Sequence, residues 1–300
     1  MGEKFNILRK ATSYKTTESW TTVPHITFIY EADATKMLNE FSKLNKNNPN
    51  LKLTVNTLLL KIFTEAVKSA PHLNAHIKYN PKQVTGKIDI KKNINISLPW
   101  ALENGEIIVI NLRNFEEKTL VEMQNYINNI EQKINNCNIH VPLYRVSAST
   151  MIDEIKKGHL LRALTAFLGA VFDRSKPSKK DMKEYDKLAL SDKITPLDLQ
   201  PGTITISNLG SVCRGLNGFM GILNIVPPQV FAVGIGSIQE KPCVIKNENT
   251  NEKSIGIRTV IPLCLGFDHR ALNFGEIVPF IQKVEYIFEH SELLRQWYSK

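Results

Sequence analysis

The chain has 300 residues, 42% of them hydrophobic, with ordinary aromatic, Gly and Pro usage; it can bury a full core and is neither fibrous nor disordered. Its net charge of +9 is spread along the chain without a zinc-finger, RNP-type or helix-turn-helix pattern, which argues against nucleic-acid binding and leaves a field that attracts anionic ligands such as a nucleotide cofactor. No apolar run reaches the ~18 residues needed to span a bilayer, and the polar start Met1-Gly2-Glu3-Lys4 lacks the apolar stretch of a signal peptide.

Residues 26–34 are rich in β-branched and aromatic side chains and read as a strand. From Val55 to Ala70, apolar residues recur at Val55, Leu58, Leu59, Ile62, Phe63, Ala66, Val67 and Ala70. That is helical spacing, closed by Pro71. Asn93–Leu98 and Ile107–Leu112 read as two strands joined around Glu103-Asn104-Gly105, a turn signal. Thr119 and Glu122 then have capping-box spacing ahead of a stripe of Leu120, Met123, Ile127, Ile130 and Ile134.

The stretch from about 136 to 196 is less regular. It holds an apolar run over 160–172 flanked by Lys156, Lys157, Arg174, Lys176, Lys179 and Lys180. Such a segment suits a helix packed on the domain or on a neighbouring subunit, a lid over an acyl chain, or a surface helix on anionic lipid, with residues 151–180 as the membrane contact. Lys176–Asp192 is charged and reads as an exposed loop. Strands are expected at Thr203–Ser207, Val230–Ile235 and Val260–Phe267, followed by a helix with Ile277, Phe280, Ile281, Val284, Ile287 and Phe288 on one face. The four cysteines, Cys137, Cys213, Cys243 and Cys264, are scattered with no Cys-x-x-Cys pair. Free thiols in a reducing cytoplasm and no metal site are the expectation.

Two segments carry candidate chemistry. In the first, Val260–Phe267 delivers Asp268-His269-Arg270 to the end of a strand, ahead of the last helix. Taken alone, a strand-end histidine is more often structural than catalytic. In the second, Gly202-Thr-Ile-Thr-Ile-Ser-Asn-Leu-Gly210 ends a strand in a turn. Ser207 there suits either an oxyanion donor or a serine bonded to its own backbone.

Together these segments resemble the catalytic domain of the dihydrolipoyl acyltransferases, the core subunits of 2-oxo acid dehydrogenase complexes. Gly202–Gly210 and Asn224-Ile-Val-Pro-Pro-Gln-Val230 follow the family's strand-turn block, and Asp268-His269-Arg270 opens its D-H-R-x-x-D-G signature. Glu18–His25, the helix after Lys118-Thr119 and the tail Glu289–Leu294 are similar to it as well, so the resemblance spans nearly the whole chain except about 136–196. It implies an α/β fold of α+β two-layer type, chloramphenicol acetyltransferase-like, with a mixed central sheet and flanking helices in one domain over 1–300. It also implies His269 as general base on a thiol, usually that of coenzyme A, and Ser207 as oxyanion donor. Active sites would lie between subunits of a homotrimer.

The departures are specific. Asn273, expected as a third catalytic residue beside His269 and Ser207, stands where the signature has aspartate, and Phe274 stands where it has glycine. The family arginine expected to pair with that aspartate becomes Lys15 if the match is ungapped, so the ion pair reads as replaced. The sequence begins almost at the catalytic domain, with no lipoyl domain, no covalently bound lipoate and no Pro/Ala-rich linker expected. The acyl group is then expected from free acyl-CoA or an acyl carrier protein, for a thiol, amine or hydroxyl acceptor. The competing expectations are a catalytically impaired trimeric scaffold, motivated by Phe274, Asn273 and the long insert, and a condensation domain that forms amides, motivated by the H-x-x-x-N spacing; half-length chains do not suit the latter.

Overall fold

The structure, a computed structural model, describes residues 5–147, 176–213, 215–246 and 250–298. In chain order come helix α1 (Ile7–Thr22), strand β1 (His25–Asp33), and helices α2 (Thr35–Asn47) and α3 (Val55–Lys68). Strands β2 (Ala75–Asn80), β3 (Thr85–Ile90), β4 (Ile96–Ala101) and β5 (Ile107–Leu112) precede helix α4 (Leu120–Asn136). After helix α5 (Lys179–Lys187) follow β6 (Ile204–Asn208), β7 (Phe231–Ile235), β8 (Gln239–Lys246) and β9 (Lys253–Asp268). Helices α6 (Phe274–Glu289) and α7 (Leu293–Trp297) close the order. Two compact units are distinguishable: Met1–Thr17, Ser97–Leu112 and Asn125–Pro201 in one, Glu18–Ile96, Arg113–Gln124 and Gly202–Lys300 in the other.

The larger unit is built on a mixed sheet. Strand β6 pairs parallel with β7, β7 pairs antiparallel with β9, and β9 pairs antiparallel with β1. The first half of β9 pairs with β8 instead. From Val260 to Asp268 every residue of β9 is buried, the pattern of a central strand covered on both faces. Helices α3 and α6 bury the stripes expected of them, including Leu58, Leu59, Ile62 and Phe63 on α3 and Ile277, Phe280, Val284 and Ile287 on α6. Phe280 joins helix to sheet: its ring stacks on Phe63 at 6.2 Å between centroids and meets Phe231 of β7 edge-on at 5.2 Å.

In the smaller unit β4 pairs with β5. The loop expected at Lys176–Asp192 is corrected here, because Lys179–Lys187 form α5. A reciprocal cap starts that helix: the Asp181 amide donates to Ser178 Oγ at 3.1 Å, and the Ser178 amide donates to the Asp181 carboxylate at 2.8 Å. Tyr185 is buried and donates its hydroxyl to the Ile194 carbonyl at 2.6 Å, while the Lys193 ammonium lies over its ring at 4.6 Å. The strand expected at Asn93–Leu98 begins three residues later, at Ile96. Residues 148–175, and with them most of the stretch read as lid or membrane contact, lie outside the described residues. Among the described residues no helix is long and apolar enough to cross a membrane.

Phe280 is fully buried, so Phe280→Ala is expected to destabilise the chain by about 3–5 kcal/mol. Urea unfolding measures this, and a loss below about 1 kcal/mol would contradict the packing of α6 on the sheet.

Candidate active site

The end of β9 is closed by its own backbone. Asp268 is the strand's last residue and pairs in register with His25, the first of β1. Its amide donates to the Val230 carbonyl at 2.9 Å, and its carbonyl accepts from the amides of Ala271 and Leu272, each at 3.0 Å. The chain thus turns back tightly over 268–272. The Asp268 carboxylate is fully buried and accepts from the Arg270 amide at 2.9 Å, from Nε at 3.0 and 3.2 Å and from Nη2 at 2.6 Å. The Arg270 guanidinium also lies over the Tyr79 ring of β2 at 5.2 Å.

This turn sets the state of His269. The amide of His269 donates to the Pro24 carbonyl at 3.1 Å, and ring Nδ1 lies 2.9 Å from the Leu272 carbonyl. A carbonyl only accepts, so Nδ1 carries the proton of the neutral ring and Nε2 keeps its lone pair. The residue is exposed, and among the described residues Nε2 has no hydrogen-bond partner. A base is therefore presented to solvent with its tautomer assigned by a main-chain bond.

Asn273 caps α6. Its amide donates to the Glu276 carboxylate at 2.7 Å, and its carbonyl accepts from the Glu276 amide at 3.1 Å. Phe274 follows as the first helical residue, 42% exposed. Its ring packs edge-on against Phe28 at 5.1 Å and against Phe267 at 6.3 Å. Lys15, read as the replaced cation, is exposed on α1 in the smaller unit, near the Tyr14 ring.

Ser207 is half-buried on β6, and among the described residues its hydroxyl has no hydrogen-bond partner. The turn after it is well anchored. Asn208 donates to Asn56 Oδ1 of α3 at 3.1 Å and accepts from the Ser211 amide at 3.1 Å. A Cβ on Gly210 would stand 2.4 Å from the Gly236 carbonyl oxygen, so only glycine lets the two strand ends cross there. Gln229, from the Pro-Pro-Gln segment, is buried, accepts from the Thr205 hydroxyl at 2.6 Å and donates to the Gly202 carbonyl at 3.0 Å. The motif residues around Ser207 thus hold β6 in place.

Register separates the two candidates within one chain. Ser207 pairs with Gly234, and Gly234 with Cys264. The strand end that carries His269, at Asp268, lies four residues beyond Cys264, roughly 13 Å along the strand and two strand spacings across. One copy does not bring the two side chains together. Cys264 is itself no nucleophile, since burial pushes its thiol up to about 11.

A further residue at this end escapes a reading of the chemistry-bearing motifs. His25 donates from Nδ1 to the Val23 carbonyl at 2.8 Å, and its Nε2 accepts from the Ile225 amide at 3.1 Å. Buried Ser19 donates to the Ile225 carbonyl at 2.7 Å, and Trp20 stacks on the His25 ring at 5.1 Å. Both nitrogens of His25 are spent on structure. It joins the end of α1, the 225 loop and the strand beside Asp268. Its signal was the Glu18–His25 segment, whose role cannot be read without these partners.

Residues 2–142 and 177–295 match the family model described as 2-oxoacid dehydrogenases acyltransferase (catalytic domain). The chain belongs to this family. Among curated members, the dihydrolipoyllysine-residue acetyltransferase component of the pyruvate dehydrogenase complex of Rickettsia bellii is 25% identical over 292 residues, covering 96% of this chain and 53% of the relative. The lipoamide acyltransferase component of the branched-chain alpha-keto acid dehydrogenase complex of Bacillus subtilis is 26% identical over 285 residues, covering 94% of this chain and 50% of that one. The chain spans about half the length of the curated relatives it matches. The family fold is also found in a probable dihydrolipoamide acetyltransferase of Listeria monocytogenes, with TM-score 0.64, 22% identity, and coverage of 97% of this chain and 95% of that one. The cubic core of a pyruvate dehydrogenase multienzyme complex aligns at TM-score 0.63 and 19% identity, covering 98% of this chain and 93% of that one. The mixed α/β architecture inferred for the chain is thus that of the family's catalytic cores. Residues 143–176 fall between the two matched stretches.

Removing one partner of a buried ion pair strands the other charge. Asp268→Asn is therefore expected to cost about 3–5 kcal/mol in urea unfolding, and the double variant Asp268→Asn/Arg270→Met less than the single one. A double variant as unstable as the sum of the singles would contradict the pairing.

Proposed function

We propose that this chain is a coenzyme A-dependent acyltransferase in which His269 is the general base and Ser207 the oxyanion donor. The observation that carries the reading is the Nδ1 to Leu272 carbonyl bond, which leaves the Nε2 lone pair of an exposed residue free to take a proton. Nε2 takes the proton of the incoming thiol, or of an amine or hydroxyl acceptor, as its heteroatom attacks the acyl thioester carbonyl. The carbonyl oxygen gains the negative charge, and the Ser207 hydroxyl donates to it. When the tetrahedral species collapses, the C–S bond to the leaving thiol breaks and the proton on His269 passes to the departing sulfur. The acyl donor is a free acyl-CoA or an acylated carrier protein.

The separation of Ser207 from His269 in one chain supports sites shared between copies, with His269 from one and Ser207 from its neighbour. A closed ring of three supplies three equivalent sites of this kind, so the assembly proposed is a homotrimer. Phe274 was one of three reasons to consider an inactive scaffold, with Asn273 and the long insert. Its packing onto Phe28 and Phe267, with His269 still exposed, favours the enzyme reading. The four free cysteines support a reducing compartment such as the cytoplasm.

With acetyl-CoA and a thiol acceptor, His269→Ala is expected to lower kcat by about 10²–10⁴ and Ser207→Ala by about 10²–10³. Equal rates in wild type and His269→Ala would sink the assignment. Co-expression of the two variants tests the shared site: random mixed trimers regain about one quarter of wild-type sites if each site draws on two chains, and none if it draws on one.

A further inference from the structure

Beside His269, three large apolar side chains crowd one rim of the sheet. Ile26 faces Phe267 across the β1–β9 ladder, and Phe28 faces Leu265 two residues on. Residues opposite one another, and residues two apart, share a face, so Ile26, Phe28 and Phe267 lie on the same side. Phe274 closes this group from the first turn of α6 through its edge-on contacts with Phe28 and Phe267. Phe267 in turn meets the His269 ring edge-on at 5.9 Å. Phe267 is 1% exposed and serves as the floor, whereas Ile26 is 38% and Phe274 42% exposed, and Phe28 is half-buried. Single exposed apolar residues are ordinary, but contiguous ones beside a presented base mark a binding surface.

We propose that Ile26, Phe28 and Phe274 form a shelf that seats an apolar group carried by the acyl acceptor, and that Phe274 sets the enzyme's preference for such acceptors. This rests on the acyl-transfer reading for what stands at Nε2. The base touches the acceptor's heteroatom, so the shelf on the same chain borders the carbon attached to that heteroatom. The carbonyl side of the reaction belongs to Ser207, on the other copy. The shelf consists of two aromatic rings and an isoleucine, with no charged group of its own, which suits an aryl or branched aliphatic substituent by offset or edge-on contact. A small hydrophilic acceptor leaves it wet and gains nothing from it.

The test compares benzyl mercaptan with 2-mercaptoethanol as acceptors for acetyl-CoA, in wild type, Phe274→Ala, Phe274→Leu and Ile26→Ser. The expected result is a kcat/KM ratio favouring benzyl mercaptan in wild type. That preference falls about three- to tenfold in Phe274→Ala, chiefly through the KM of benzyl mercaptan. Phe274→Leu keeps most of the preference and Ile26→Ser loses part of it. Phe274 is a surface-facing helix residue, and circular dichroism with size-exclusion chromatography checks that each variant is folded and assembled. Turnover failing altogether in wild type tells against the acyl-transfer reading, so binding is measured separately by following the His269 ring proton resonance during titration with benzyl mercaptan. Equal affinity in wild type and Phe274→Ala, or no binding to wild type, overturns the shelf whether or not turnover occurs. A parallel loss for both acceptors also overturns it, since that marks Phe274 as structural.

Discussion

A buried carboxylate at the end of the longest strand holds the site together. Asp268 is fully buried, and a charge in that position is tolerated only when its partners satisfy it. Arg270 does so with its amide, Nε and Nη2 together, which forces the chain to double back within two residues. That reversal aims the Ala271 and Leu272 amides at the Asp268 carbonyl and brings the Leu272 carbonyl to His269 Nδ1. Helix α6 then starts at once, capped through Asn273 and Glu276. The tautomer of His269 and the start of the helix are consequences of one ion pair, and the imidazole is oriented by main chain without a second carboxylate.

The neighbouring elements reinforce the same end of the sheet. Pro24 accepts the His269 amide, and His25 pairs with Asp268 while both of its ring nitrogens bind main chain. Tyr79 of the β2–β3 hairpin supports the Arg270 guanidinium from its other side. At the opposite end of β6 and β7, the Gly210–Gly236 crossing and the Asn208–Asn56 bond fix the Ser207 turn. His269 and Ser207 therefore sit at strand ends with separate anchors.

Much of the fold was legible because it was periodic. Helices α3 and α6 display apolar stripes, and the central strands β6 and β7 are short apolar runs within one residue of the bounds expected, while β9 contains the expected Val260–Phe267 run but begins earlier, at Lys253. Helix α2 and strand β8 were missed although each is two-sided, with Met37 and Phe41 buried on α2 and burial alternating along β8; other elements that escaped had no such pattern. Strand β3 is exposed at every position, so alternation never marks it, and α1 is rich in Ser and Thr with few buried side chains. Helix α5 is almost wholly charged and depends on its Ser178 cap and the buried Tyr185. His269 and Ser207 stood out by their motifs, and the resemblance implied that they come from different chains; the register that separates them within one chain is a long-range fact that local spacing does not encode. The structural duty of Gln229 was hidden for the same reason: its partners Thr205 and Gly202 are 24 and 27 residues away.

The residue at 274 bears on how such a site diversifies. A bulky side chain where the resemblance implies glycine is tolerated because it occupies the first position of a helix, a place without intrahelical neighbours on its N-terminal side. It points back over the strand end and finds Phe28 and Phe267 there. The substitution leaves intact the bonds that orient His269, since none of them involves Phe274. The surface next to the base can therefore change in size and polarity while the tautomer, the ion pair and the helix cap stay fixed. His269 is held by main chain and Ser207 by a separate turn, and the rim that Phe274 borders belongs to neither set of anchors, so it is the part of this strand end freest to vary.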